Sequence, residues 1–141
     1  MSGVFIRVMI TPYKHIDIGW PLVPLFRYIA DIENNAQWHS EVIHAHWITR
    51  NENRVGCTYK EVKLINDEEV EIVLTVSEFI PYQKRTITFD NKVSFTIQFE
   101  AVTNDWTRLH LSVSERENNH LAQAVMSNLT RLKNMLEEVY C

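Results

Sequence analysis

The sequence is short of glycine, proline and cysteine. Its 141 residues include three glycines, four prolines and two cysteines. Such a chain has little material for a glycine-rich phosphate-binding loop or for a flexible linker between domains. The two cysteines, Cys57 and Cys141, are too few for a disulfide framework, so we expect free thiols in a reducing compartment.

Basic clusters and long apolar runs are also missing. The formal net charge is -4, and basic residues concentrate only in small pairs such as Lys84-Arg85. A nucleic-acid-binding protein needs a basic face, so we expect no nucleic-acid partner. No apolar stretch reaches the roughly 18 residues of a membrane span, and the first residues lack the pattern of a signal peptide. A cytoplasmic location follows by default.

What the chain does have is regular alternation of apolar and polar residues, without repeats. We expect one domain over residues 1–141. Residues 4–10 are apolar enough for a strand, but Pro12 interrupts them, because proline cannot donate to a sheet ladder. Residues 1–12 therefore form either an extra edge strand or an N-terminal extension before a first strand at 13–18.

Two short helices are predicted next. Pro21 and Pro24 fit the first turn of a helix, where amide hydrogens have no partner within the helix. Its apolar stripe runs to Ile32, and the helix is expected to end near residues 33–35. A second short helix or turn then carries Trp38.

From Val42 onward the apolar period changes to two, which is typical of strands. Strands are predicted at 42–49, 56–65, 69–79, 84–90, 92–102 and 106–116. The connections are short and rich in Asn, Asp and Pro, so neighbouring strands should pair antiparallel.

The C-terminal segment, about 118–139, shows the spacing of one amphipathic helix. Its apolar residues recur every three or four positions, at Leu121, Val125, Leu129, Leu132, Leu136 and Val139. This stripe must be buried, and the concave face of the sheet is the large apolar surface available. A homodimer through the patch of Leu132, Met135, Leu136 and Tyr140 is the alternative that the pattern leaves open.

This order of elements, an α+β arrangement, resembles the helix-grip superfamily of START-like (SRPBCC) proteins. These include polyketide cyclases, lipid-transfer START domains and the birch-pollen allergen. The segment 26–34 followed by Trp38-His39 is similar to the family's first helix and tryptophan, and 76–81 to its strand-to-proline corner. The likeness covers about residues 13–140, although Trp20 stands where a small residue is usual. It implies a curved sheet of about seven strands around the long helix, and a cavity between them for a hydrophobic small molecule.

The lining expected for that cavity combines apolar residues of the first helices, the strands and the last helix. It comprises Phe26, Trp38, Leu74, Val76, Phe89, Phe95, Ile97, Phe99, Leu121, Val125 and Leu129. Tyr59 and Glu78 are the candidates for orienting a ligand.

Glu78 is ambiguous. By alternation it shares the inward face of Val76, where burial would raise the pKa of its carboxyl and suit it to acid–base work. A bulge or strand end near Pro81 would instead turn it to solvent, and we favour this second placement because a buried unpaired charge is costly. Tyr59 and Glu61 share one face of their strand, but the pattern does not show which face is inward.

The histidines do not suggest a metal site. His44 and His46 share one face of a strand, and Ile43, Ala45 and Trp47 make the other face more apolar. The histidines should therefore point outward, and His39 adds no clear third ligand. No metal and no cofactor are expected.

Three functions remain open. The first is a binding protein for a lipid or an aromatic, polyketide-like compound. The second is a cyclase- or dehydratase-type enzyme that uses Glu78, Tyr59 or a histidine as acid or base, which needs two titrating groups at one cavity. The third is an interaction protein whose aromatic residues fill the core completely.

Overall fold

A computed structural model describes residues 14–50, 53–89, 93–114 and 119–138. The first strand, β1, spans Lys14–Ile18, and helix α1 spans Leu22–Ala30. A 3₁₀ turn at Ile32–Asn34 and a short helix α2 at Asn35–Trp38 follow. The choice between an edge strand and an extension for residues 1–12 lies outside the described residues.

Six further strands and a long helix complete the fold. The strands are β2 (Val42–Trp47), β3 (Thr58–Ile65), β4 (Glu68–Ile80), β5 (Lys84–Phe89), β6 (Val93–Ala101) and β7 (Thr107–Val113). Helix α3 spans Asn119–Glu138. The seven strands form one antiparallel sheet in the order β1-β7-β6-β5-β4-β3-β2. The predicted α+β helix-grip fold is confirmed.

Turn chemistry sets the register of the hairpin between β3 and β4. Asn66 and Asp67 both adopt positive φ, 52° and 67°. Consecutive positive φ values suit two-residue hairpin turns, whose twist matches that of the strands, and Asn and Asp tolerate this conformation best among residues with a side chain. Ile65 pairs with Glu68 across this turn, which fixes the alternation of both strands.

The predicted end of α1 was wrong by one turn. The helix stops at Ala30, because Asp31 has an extended backbone and its carboxylate accepts a hydrogen bond from the Glu33 amide at 3.2 Å. A short polar side chain that bonds the backbone locally competes with helix continuation. The break redirects the chain into the 3₁₀ turn and brings Asn35 and Trp38 over the sheet.

Helix α3 packs its apolar stripe against the sheet. Leu129 and Leu132 are fully buried and Leu136 is 3% exposed, in a cluster with residues of β1, β6, β7 and α1. The dimer patch is therefore mostly turned inward within the described residues, with Met135 half-buried and Tyr140 outside them. A second apolar cluster lies over β2 to β5. Within the described ranges, no helix has the length and apolar character needed to cross a membrane.

Candidate functional site

Seven of the predicted lining residues surround one enclosed cavity, between the concave face of the sheet and the N-terminal half of α3. The cavity has a volume of about 60 Å³. The predicted residues around it are Trp38, Tyr59, Leu74, Phe89, Phe95, Leu121 and Val125. A space of this size holds a few water molecules. The walls contributed by β4, β5 and β6 are apolar, as is that of α3 apart from Asn128.

The other apolar residues of the predicted set lie elsewhere in the core. Val76 and Leu129 are fully buried and Ile97 is 3% exposed. The rings of Phe26 and Phe99 meet edge to face with centroids 4.8 Å apart. Phe26 also faces an open cleft of about 540 Å³ between α1 and the connection after β4. These five residues build the fold rather than the wall of the enclosed cavity.

Glu78 lies on the opposite face of the sheet. The pairing of β4 with β5 shifts by one residue between Val76 and Glu78, so strand alternation inverts there and Glu78 pairs with Thr86. Its carboxylate accepts a hydrogen bond from the Thr86 hydroxyl at 2.9 Å and lies 3.2 Å from the Lys84 ammonium. The Thr86 hydrogen bond and Lys84 lower the pKa of Glu78. The bulge takes Glu78 out of the cavity, which corrects its inclusion among the ligand-orienting residues.

A buried carboxylate does line the cavity, but it is Glu61 of β3. Glu61 is 2% exposed and faces inward beside Tyr59. The Asn35 side chain donates a hydrogen bond to its Oε2 at 2.9 Å, and the Lys63 ammonium lies 3.8 Å from Oε1. Burial raises the pKa of Glu61, against the opposing effects of Lys63, Asn35 and Arg85. The sequence left the face of this strand undecided; its register with β4 decides it.

Arg85 is the least expected member of this polar group. It is 6% exposed on the concave face, paired with Phe79 on one side and Ile97 on the other. Tyr59 and Glu61 both act on its guanidinium electrostatically, while Nε and Nη2 find no hydrogen-bond partner within the described residues. Burial lowers the pKa of Arg85 and raises that of Tyr59. The pair Lys84-Arg85 therefore splits, one side chain on each face of the sheet.

Trp38 and His39 bring two more polar atoms to the cavity. Their ring centroids are 4.0 Å apart. Trp38 Nε1 and His39 Nε2 are both buried and without a hydrogen-bond partner in the part of the chain that the structure describes. Burial, with Lys63 and Arg85 adding positive charge nearby, lowers the pKa of His39 to about 3. His39 is therefore neutral at physiological pH.

A second space of about 130 Å³, which we call the mouth, adjoins the cavity between the α2–β2 connection and α3. The mouth and the cavity share four lining residues, His39, Lys63, Ala124 and Asn128. The Ser40 amide donates a hydrogen bond to Asn128 Oδ1 at 3.3 Å, which ties α3 to the α2–β2 connection. The mouth therefore lies next to the polar side of the cavity.

The hydrogen bond from Asn35 to Glu61 can be tested by mutation. Asn35→Ala removes the donor to a buried carboxylate and is expected to lower the free energy of unfolding by about 2 kcal/mol, the usual cost of such a loss. Urea denaturation at neutral pH measures it. In a Glu61→Gln background the same change should cost less, because a neutral amide tolerates an unmade hydrogen bond better. An equal cost in both backgrounds would contradict the pairing.

The histidines of β2 point outward as predicted. His44 and His46 are exposed and their rings stack 5.6 Å apart. Ile43 was expected to face inward with Ala45 and Trp47, but it is 42% exposed. It turns outward because the pairing of β2 with β3 shifts between Val42 and His44. Over the described ranges, no three His, Cys, Asp or Glu side chains converge as a metal site would require.

Comparisons with known proteins bear on the fold. No family model matches the chain, and no curated protein matches it. Several solved structures do match the chain. A START superfamily protein from Mycobacterium smegmatis is similar with a TM-score of 0.74 at 12% identity, over 91% of this chain and 97% of that one. The structure of Ara h 8.0201 has a TM-score of 0.72 at 14% identity, over 92% and 99%.

A third likeness is to a larger protein, the di-domain ARO/CYC BexL from the BE-7585A biosynthetic pathway. Its TM-score is 0.76 at 14% identity, over 89% of this chain but 46% of that protein, so this chain spans about half of the di-domain. At such identities a shared fold is what the likeness establishes. The chain thus has the helix-grip fold found in START superfamily and ARO/CYC structures.

Proposed function

We propose that this protein binds a small molecule with an apolar body in the cavity beneath the N-terminal half of α3, and that the molecule enters through the mouth. One observation carries the proposal: an apolar-walled cavity contains buried polar atoms without partners and adjoins a mouth. Unpaired buried polar atoms are rare in native proteins because each is costly, and a ligand is one way to satisfy them. The likeness to a di-domain ARO/CYC from a biosynthetic pathway supports a small-molecule role.

The volumes of the cavity and the mouth limit the size of the ligand. The cavity alone, about 60 Å³, is smaller than the roughly 150 Å³ that an engineered benzene-binding cavity offers. The mouth adds about 130 Å³. A ring or a short chain occupying both spaces fits the arrangement. Its burial would supply affinity at about 25 cal/mol per Å² of apolar surface, before the costs of ordering.

The test is to block the mouth without disturbing the core. Ala124 is exposed and lines both the mouth and the cavity. Ala124→Trp is expected to weaken binding of neutral apolar dyes such as N-phenyl-1-naphthylamine by at least about tenfold, because a steric block costs more than the 1.4 kcal/mol that tenfold represents. Fluorescence titration measures it. Val125→Trp, which fills the cavity itself, should do the same.

The matched control is the neighbouring exposed position. Gln123→Trp places the same side chain on the same helix, at a residue that lines neither space. This variant should bind the dyes as the wild-type protein does. Equal dye binding by wild type, Ala124→Trp and Val125→Trp would show that the dyes bind elsewhere and would overturn the proposal.

A second candidate function is acid–base catalysis in the same cavity. It is favoured by one observation, that Tyr59, Glu61 and His39 all line the cavity. A buried carboxyl with a raised pKa keeps its proton to a higher pH than an exposed one and can deliver it. Glu61, instead of Glu78, would then be the acid. Conversion over time of a bound molecule by wild type but not by Glu61→Gln would favour this function over binding alone.

A further inference from the structure

The hydrogen-bonding groups left without partners around the cavity are mostly donors. Trp38 Nε1, at the cavity, can only donate, and so can Arg85 Nε and Nη2, which belong to the adjoining buried cluster and not to the cavity lining. Within the described residues none of these three atoms has an acceptor. The Glu61 carboxylate, which lines the same cavity, is already engaged by Asn35 and Lys63. A bound molecule that pairs with Trp38 Nε1 must therefore bring an acceptor oxygen.

The charged side chains around the cavity also favour a ligand with acceptor oxygens. Two cationic side chains, Lys63 and Arg85, act on the Glu61 carboxylate. The same two cations, together with burial, hold His39 in its neutral form. Burial disfavours a charge of either sign at this place, whereas the Lys63 and Arg85 charges favour a negative one. Two cationic side chains and one carboxylate therefore act on this side of the cavity.

We propose that the bound molecule carries an oxyanion at one end, a carboxylate on a short apolar chain or ring, and that Trp38, His39 and Lys63 receive it. This inference rests on the proposed binding function. Trp38 Nε1 donates to one oxygen. His39, neutral, donates through Nε2 when its proton is on that nitrogen. Lys63, which lines both cavity and mouth, supplies the opposing charge. Arg85, which does not line the cavity, adds positive potential without touching the ligand in this arrangement.

The apolar body then extends toward the opposite wall. Leu74, Phe89 and Phe95 of the sheet and Leu121 and Val125 of α3 form that wall. An amphipathic acid matches both sides at once, whereas a neutral hydrocarbon leaves the donors unpaired and a cation faces Lys63 and Arg85. The cavity therefore discriminates by the charge of the end group as well as by the size of the body.

Three probes with one chain length test the assignment: octanoate, octanol and octylamine, each displacing a neutral dye near pH 7.5. Octanoate is expected to bind at least about tenfold more tightly than octanol, because hydrogen bonds to a charged group are among the stronger ones. Octylamine should bind weakest. Lys63→Gln and Trp38→Phe should each reduce the preference for octanoate over octanol several-fold.

A neighbouring lysine provides the control. Lys60 is also on β3 but pairs with Glu71 at 3.6 Å and lines neither cavity nor mouth. Lys60→Gln removes the same overall charge and should keep the wild-type preference. A preference that persists in both Lys63→Gln and Trp38→Phe would overturn the assignment of these residues.

The outcomes separate this inference from the proposed function. If the wild-type protein binds all three probes equally, the anion preference is wrong while the binding site stands. If none of the probes displaces the dye and the dye itself binds Ala124→Trp as well as wild type, both proposals are wrong.

Discussion

Acidification from about pH 7.5 to about pH 5 is expected to lower the free energy of unfolding by about 2 kcal/mol through His39 alone. His39 has a pKa of about 3 in the folded protein against 6.5 for an ordinary histidine. The unfolded chain takes up a proton near pH 6.5 and the folded chain does not. Stability is therefore fully present above pH 6.5 and is lost progressively as the pH falls toward 3.

The physical reason is the position of the ring. Burial opposes the charged imidazolium first, and the Lys63 and Arg85 charges oppose it further. Across the whole window from 6.5 to 3 the effect amounts to about 4 to 5 kcal/mol, at about 1.36 kcal/mol for each unit of difference in pKa. This makes His39 the largest single source of acid sensitivity that we expect in the protein.

The measurement is the difference in unfolding free energy between wild type and two variants, His39→Gln and His39→Phe, by urea denaturation at several pH values. Both variants remove the titrating ring, so both should lose the slope although their absolute stabilities differ. Subtracting the variant curves from the wild-type curve isolates the contribution of His39 to the free energy of unfolding. This is needed because Glu61, with its raised pKa, acts in the opposite direction: its contribution to stability falls as the pH rises from 4.5 toward its folded pKa. Parallel curves for wild type and both variants would contradict the burial of a neutral His39.

Leu129→Ala is expected to lower the free energy of unfolding by about 3 kcal/mol, within the range for fully buried leucines. Leu129 is 0% exposed at the centre of the α3 stripe. The truncation loses apolar burial and leaves a space that the packed surroundings close only in part. Thr130→Ala, at the next and exposed position of α3, should change the stability by less than about 0.5 kcal/mol.

This pair of variants also separates folding from binding. Leu129 does not line the cavity. Leu129→Ala should therefore bind neutral dyes with wild-type affinity under conditions where it is fully folded, whereas Ala124→Trp should lose binding while staying stable. A loss of both stability and binding in Leu129→Ala, at temperatures below its unfolding transition, would place Leu129 in the binding site.

Alternation and helical spacing predicted most of the fold. The six strands after α2 lie within three residues of their predicted bounds wherever the structure describes them, and α3 lies within one residue of 118–139 at each end. These patterns work because one face of each element is buried against a common core. The stripe from Leu121 to Leu136 accordingly predicted the side of α3 that meets the sheet.

Local irregularities caused the errors in the predicted faces of β4 and β2 and in the predicted end of α1. One extra residue in β4 inverts alternation before Glu78, and a similar shift in β2 exposes Ile43. Bulges leave little trace in composition, so alternation alone could not place them. The carboxylate of Asp31 ended α1 earlier than its apolar stripe suggested.

The buried cluster of polar residues beside the cavity was not predicted from the sequence. Asn35, Glu61 and Arg85 are polar or charged residues that normally lie at the surface, and their burial depends on register across three strands and on the position of α2. The sequence carried one sign of this cluster, because Tyr59 and Glu61 share one face of β3. Once β3 is registered against β4, Tyr59 faces Leu74 and Glu61 faces Ile72, which turns both toward the core.

The most direct measurement is native mass spectrometry of the protein purified from its own host, with the Ala124→Trp variant purified in parallel. The account predicts that a small amphipathic acid remains bound to the wild-type protein and is missing from the variant. A wild-type protein that carries no ligand, or a ligand retained equally by the variant, would contradict it and would favour a solid core that serves another role.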